Sequence, residues 1–339
     1  MAKLLAMKRI AVIGAGAWGT ALATVAARAG REVSLWAREA EVVASINERH
    51  ENALFLPGVT LDAGINATGD LKEATAGADA VLLVAPAQHT RAVAADLAAH
   101  ISAEVPVIIC AKGIEEGSGA LLSEVLEGAL PGRTFAVLSG PTFAAEVAAD
   151  LPTAITLASA DQGLGERLVA AIGGRHFRPY WTPDLIGAQI GGAVKNVLAI
   201  ACGIVAGEGL GDNARAALIT RGLAEIVRLG VAKGARTETL FGLSGLGDLT
   251  LTCNSEQSRN FSLGAALGRG QTLADIMGAR RSVAEGVHTA VSVTALAEKL
   301  GVDMPICAGV NAILHRGAAV EEAIEALLTR PFRAEGQGK

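Results

Sequence analysis

Aromatic residues make up only 3% of this 339-residue chain, which excludes a core assembled mainly from large rings and leaves close helix packing and tight backbone turns to carry the fold. Cysteine is also sparse. Cys110, Cys202, Cys253 and Cys307 lie far apart, with no CxxC pair and no Cys/His spacing of a metal site, so a zinc module and a disulfide scaffold are both excluded. Reduced, mostly buried thiols fit a reducing compartment, and the expected location is the cytoplasm. Neither sign of charge dominates: 29 basic and 34 acidic residues leave a net charge of -5. No electrostatic footprint for nucleic acid or an anionic membrane surface follows, and basic residues that hold an anion must act locally. The chain shows no repeat at fixed spacing and no Ser/Pro-rich linker.

Hydrophobic residues make up 51% of the chain and charged residues 19%, a globular balance over a length that suits two domains. Two apolar stretches imitate other things. Lys8-Arg9 and the run 10–29 resemble a secretory signal, but Gly14, Gly16 and Gly19 weaken such a helix. Residues 186–206 have the length of a membrane span, yet Gln189, Lys195 and Asn196 near the middle are costly in lipid. A buried core helix is expected there, and no integral membrane segment.

Residues 9–13, 17–28 and 33–36 read as strand, helix and strand in one crossover unit. Further buried strands are expected at 80–85, 105–110, 134–138 and 154–157, with helices such as 91–100 and 121–129 between them. Continuous apolar strands alternating with helices imply an α/β fold with a doubly wound, mainly parallel sheet. Beyond residue 183 the strand pattern disappears. Helices are expected at 186–206, 213–233, 273–277, 287–300 and 320–328, and a polar, frayed tail at 333–339. The division is an N-terminal Rossmann-like domain over 1–186 and a C-terminal all-helical domain over 187–339.

Gly14-Ala15-Gly16-Ala17-Trp18-Gly19 follows the first strand and opens a helix, the context a dinucleotide-binding turn requires. Gly14 permits the turn, Gly16 lets backbone approach a pyrophosphate, and Gly19 lets helix and strand pack. The phosphates would meet unpaired N–H groups at the helix N-terminus. At the end of the second strand, Arg38 suits a 2′-phosphate and so NADPH. Glu39 beside it leaves NADH open, and a solvated arginine is the plainer alternative.

Lys195 lies within an apolar helix, where burial would lower its pKa and suit it to proton exchange. A structural salt bridge is the alternative. Hydride transfer to a ketone leaves charge on oxygen, so a proton donor must sit beside that oxygen, and a lysine on the second domain could supply it across a cleft. Asn196 points about a quarter turn away and is expected only to hold neighbouring backbone. Ser258-Arg259-Asn260 groups a hydroxyl, a guanidinium and an amide as a phosphate cradle, with a helix cap as the equal alternative.

These residues, with Leu56-Pro57-Gly58, Ala111-Lys112-Gly113-Ile114, Ser139-Gly140-Pro141-Thr142-Phe143-Ala144, Thr220-Arg221-Gly222-Leu223 with Glu225, the run 242–249 and Glu285-Gly286-Val287, resemble the bacterial-type NAD(P)-dependent glycerol-3-phosphate dehydrogenases over nearly the whole chain. The resemblance implies reversible reduction of dihydroxyacetone phosphate, a small phosphorylated triose, to sn-glycerol 3-phosphate for phospholipid synthesis. It implies that Lys195 is the proton acceptor in the oxidation direction. Lys112, Gly140, Thr142, Lys195, Asp248, Ser258, Arg259 and Asn260 would bind glycerol 3-phosphate. Gly14, Gly16, Ala17, Trp18, Gly19, Arg38, Lys112, Ala144, Arg259, Val283 and Glu285 would line NADPH. A homodimer is left open. The rivals are a hydroxy acid or ketopantoate reductase on the same scaffold, against which the phosphate cradle argues, and a silent NADP-binding sensor, which has no reason to bury a lysine.

Overall fold

The structure is a computed structural model that describes residues 7–278 and 284–331. Its first half alternates strands and helices: β1 (Arg9–Ile13), α1 (Ala17–Arg28), β2 (Glu32–Trp36), α2 (Ala40–Arg49), β3 (Glu51–Asn52), β4 (Leu56–Thr60), β5 (Ile65–Thr68), α3 (Leu71–Thr75) and β6 (Ala80–Leu83). There follow α4 (Thr90–Leu97), β7 (Val107–Ile109), α5 (Leu122–Ala129), β8 (Phe135–Ser139), α6 (Ala144–Ala148), β9 (Thr153–Ala158), α7 (Gln162–Ile172) and β10 (Phe177–Thr182). Eight of the strands form one sheet in the order β10-β9-β8-β7-β6-β1-β2-β5. All neighbours pair in parallel except β8 and β9.

Both faces of the sheet are covered, which is why its central strands are continuous apolar runs rather than alternating ones. Within β1, Ile10 and Val12 enter one buried cluster, whereas Ala11 and Ile13 enter the cluster on the other face. Arginines close several helix ends here. Arg31 donates to the carbonyls of Ala170 and Ala171 near the end of α7, and Arg133 does so for Ala98 and Ile101 after α4, where cations complement the helix dipole.

The second half is helical: α8 (Leu185–Gly207), α9 (Gly211–Lys233), α10 (Thr237–Leu240), a π-helical turn (Leu243–Gly247), α11 (Asp248–Cys253), α12 (Arg259–Gly268), α13 (Leu273–Gly278), α14 (Glu285–Leu300), α15 (Pro305–His315) and α16 (Val320–Leu328). Asp184 starts α8 by accepting the N–H of Gly187 at 2.8 Å. Among the described residues α8 alone is long and apolar enough to cross a membrane, but 89% of its apolar window is buried inside the protein. It is the expected core helix. Gly203 and Gly264 let α8 and α12 meet backbone to backbone, since a Cβ on either would lie 2.1 or 2.0 Å from a carbonyl oxygen of the other helix.

The chain forms two compact units: the described residues through Lys112 with Leu122–Ala188, and Gly113–Leu121 with the described residues from Gln189 onward. The Rossmann-like sheet and helical C-terminal part therefore match the sequence expectation. Four strands were not legible: β3, β4, β5 and β10. β10 contains Arg178 and Pro179 and forms a sheet edge, so it has no apolar run, and a proline is tolerated there because one side needs no ladder bond. The expected tail at 333–339 lies outside the described residues.

Candidate functional site

Backbone geometry at the end of β1 explains two of the three glycines from within the protein. Gly14 turns the chain at φ +117°, a value that side chains disfavour, and its N–H donates to the Trp36 carbonyl at 3.1 Å. A Cβ on Gly19 would lie 1.8 Å from the Gly14 carbonyl oxygen. Gly16 is different. It is exposed, has an ordinary φ of -66°, and a Cβ there would meet nothing within 4 Å. Nothing in the folded chain requires glycine at this position.

Helix α1, which begins with Ala17 and Trp18, has no side-chain cap and no acid in its first turn, so its N–H groups and positive dipole end can receive an anion. The Trp18 Nε1 is buried without a hydrogen-bond partner. These features fit the pyrophosphate of a dinucleotide. Arg38, 79% exposed, donates through Nη2 and Nε to Glu39 Oε1 at 3.0 and 3.2 Å. The two rival ribose-edge residues are thus paired with each other. Exposed pairs of this kind contribute about 0–1 kcal/mol, too little to hinder an incoming phosphate.

In the same unit, Lys112, Gly140 and Thr142 come together just beyond β7 and β8. Lys112 Nζ and Thr142 Oγ1 both donate to the Gly140 carbonyl, at 2.8 and 3.2 Å. The C-terminal ends of parallel strands are the usual ligand crevice of such sheets. Ser139, the last residue of β8, buries its Oγ without a partner; the sequence carried no signal for it beyond its place in the motif. Ala144 opens α6 and packs against the sheet's core cluster.

In the helical unit, Lys195 lies in α8 and is 8% exposed at its side chain. It donates to Asp248 Oδ1 at 2.6 Å and to Thr252 Oγ1 at 2.8 Å. Burial disfavours the ammonium, and the carboxylate beside it favours the ammonium; the sequence alone accounts for only the first of these. The approach is made possible one helical turn earlier, where Gly191 faces the π-helical turn. A Cβ on Gly191 would lie 2.4 Å from the Ser244 carbonyl oxygen. Because residues four apart share a helix face, this close passage brings the start of α11 opposite Lys195. Thr252 was not found from sequence, although its spacing of four from Asp248 on one helix was the available signal.

The triplet 258–260 is not three equivalent donors. Ser258 caps α12, accepting the Phe261 N–H at 3.2 Å, Arg259 is exposed, and Asn260 is buried. Asn260 donates to Asn196 Oδ1 at 2.9 Å and accepts the Gly286 N–H at 2.9 Å. Asn196, expected only to hold neighbouring backbone, therefore also ties α8 to α12. Asn260 extends the tie to α14, which begins at Glu285; Val283 lies outside the described residues. Glu225, a motif residue without an expected role, accepts the N–H groups of Ile306 and Cys307 at 2.7 and 3.2 Å and so caps α15.

All four cysteines are free and buried. Burial pushes the thiols of Cys110, Cys253 and Cys307 up, which keeps them protonated and unreactive. Among the described residues no group of three His, Cys, Asp or Glu side chains is arranged to hold a metal ion.

Family comparisons match this chain twice, to the model of the NAD-dependent glycerol-3-phosphate dehydrogenase N-terminus over residues 9–164 and of its C-terminus over residues 184–325. A protein of Parvibaculum lavamentivorans named glycerol-3-phosphate dehydrogenase (NAD(P)+) is 63% identical over 331 residues, covering 98% of this chain and 99% of its own. The protein of that name from Rhodospirillum rubrum is 63% identical over 96% of this chain and 94% of its own. A crystal structure of glycerol-3-phosphate dehydrogenase from Coxiella burnetii superposes with a TM-score of 0.92 at 42% identity, covering 96% of this chain and 99% of that one.

Proposed function

Because this chain belongs to the NAD-dependent glycerol-3-phosphate dehydrogenase family and interconverts dihydroxyacetone phosphate and sn-glycerol 3-phosphate with NAD(P)(H), we propose that Lys195 exchanges the proton. The observation that carries this reading is the Lys195 ammonium, buried in an apolar helix and held by Asp248 at 2.6 Å. A bound nicotinamide supplies or accepts the hydride. As charge grows on the ketone oxygen, the Lys195 ammonium gives that oxygen its proton and is left as a neutral amine. In the oxidation direction the amine removes the hydroxyl proton. Asp248 and Thr252 hold the Nζ throughout, so the group needs no reorganisation as charge moves.

Residues 1–186 hold the dinucleotide and residues 187–339 supply the acid–base group. Gly14, Gly16 and Gly19 shape the pyrophosphate turn, Ala17, Trp18, Ala144, Val283 and Glu285 line the nucleotide, and Arg38 takes a 2′-phosphate, so NADPH is the preferred form. Lys112 and Arg259 serve both ligands. Gly140 and Thr142 offer backbone and hydroxyl groups to the substrate, and Asp248 acts on it with Lys195. The exposed Arg259 guanidinium and the start of α12, beside Ser258 and Asn260, suit the substrate phosphate. The product feeds glycerophospholipid synthesis in the cytoplasm.

The test is NADPH oxidation on addition of dihydroxyacetone phosphate, by the native chain and by Lys195→Met. The variant loses about 10²–10⁴-fold in turnover and keeps its NADPH affinity. Undiminished turnover in the variant removes Lys195 from the chemistry, and turnover only on other ketones points to a related reductase.

A further inference from the structure

Residues 113–121 leave the sheet-containing unit directly after Lys112, belong to the helical unit, and return at Leu122. They form a closed hairpin. Ile114 and Leu121, both fully buried, make an antiparallel bridge at its base. Above it the Glu115 N–H donates to the Ala120 carbonyl at 3.0 Å, and Ser118 Oγ donates to Glu115 Oε2 at 2.6 Å. Next to the tip, Glu116 Oε1 meets His288 Nδ1 at 2.6 Å. His288 stands one turn into α14, whose first residue is Glu285. His315 holds the same turn from α15, its Nε2 lying 2.9 Å from the Val287 carbonyl.

We propose that Glu116 and His288 are positioning residues for the reaction: their clasp fixes the hairpin to α14 and thereby the backbone from which Lys112 extends. This rests on the reading of Lys112 as a ligand of substrate and dinucleotide. Lys112 is held at two ends. Its Nζ is bonded to the Gly140 carbonyl, and the residue that follows it opens the hairpin. A rocking hairpin changes the torsions at Lys112 and spreads the positions its ammonium can occupy, and small misplacements of a positioning charge are costly. Both side chains of the clasp are about 40% exposed, so its loss is not expected to disturb the fold. An exposed pair contributes up to about 1 kcal/mol, which limits the effect to about two- to fivefold.

The experiment compares Glu116→Ala, His288→Ala, the double variant and Lys112→Ala in the full chain. It reads KM for dihydroxyacetone phosphate, kcat, Tm, and hydrogen exchange of residues 113–121. Each clasp variant should raise KM about two- to fivefold, with faster exchange in the hairpin and unchanged kcat and Tm. The double variant should be no worse than either single one, because both remove the same contact. Faster hairpin exchange with unchanged KM overturns the proposal, as does a KM rise that merely tracks a falling Tm. If Lys112→Ala also leaves KM unchanged, the failure lies in the role given to Lys112.

Discussion

Lys195 and Asp248 are separated by 53 positions in the chain, yet their charged atoms lie 2.6 Å apart with the carboxylate wholly buried. Such a pair is weak evidence of net stability, because both charges have lost their hydration. It is strong evidence that each needs the other. The carboxylate also fixes where the lysine Nζ lies.

Asp248→Asn weakens that hold. Without the carboxylate, Lys195 Nζ loses its charged partner at 2.6 Å and is less firmly placed for the substrate oxygen. Turnover should fall about 10²-fold. An unchanged kcat in this variant would separate Asp248 from the positioning of Lys195.

Stability and catalysis should separate in a second comparison. Lys195→Met alone leaves the buried Asp248 carboxylate without its ammonium and should cost about 3–5 kcal/mol in urea unfolding. Combining it with Asp248→Leu should restore most of that stability and none of the activity. A double variant as unstable as the single one would contradict this account of the pair.

The glycine turn permits a sharper distinction. Gly19→Ala forces a Cβ onto the Gly14 carbonyl oxygen and should destabilise the ligand-free protein by about 1–3 kcal/mol. Gly16→Ala meets open space and should leave ligand-free stability unchanged while weakening NADPH about tenfold, through N–H groups denied to the phosphates. Equal effects of the two on ligand-free Tm would count against the assigned roles.

Arg38→Ala tests cofactor choice. Affinity for NADPH should fall about tenfold, as expected for loss of a charge-assisted hydrogen bond, and affinity for NADH should change little. A parallel loss for both nucleotides would retire the 2′-phosphate role.

Glu225 gives a pH dependence of stability. Desolvation raises its pKa to about 6, against 4.5 for the free group, despite the N–H bonds from Ile306 and Cys307. The folded state therefore binds more protons than the unfolded state between these values. The associated stability is fully present below about 4.5 and is lost as pH rises through about 6. The advantage of the native protein over Glu225→Gln should shrink by about 2 kcal/mol across that window; a constant difference in chemical denaturation would show that the carboxyl is not held in a desolvated site.

The glycine turn and the strands beside it were legible because their causes are local: a positive φ at Gly14, an uncapped α1, and apolar runs buried on both faces of the sheet. β5 and β10 escaped, being short or at an edge with Arg178 and Pro179 in place of an apolar run. In the helical half the sequence showed that a lysine sat where hydration was unavailable, but not what compensated it. The resemblance named Asp248 as a substrate residue; its bond to Lys195 became visible only in the fold, as did Thr252.

By itself, then, the sequence determined the strand–turn–helix geometry of the glycine turn and the burial of Lys195, since both follow from side-chain size and polarity within a few residues. Tertiary structure alone decided the partners. Asp248 and Thr252 reach Lys195 because backbone meets backbone at Gly191 and Ser244, Asn196 finds Asn260 across a crossing of small residues, and Glu225 finds the start of α15. Such pairings join charges and amides that lie tens of positions apart, and they exist only once close packing has excluded the water that would otherwise satisfy each group separately.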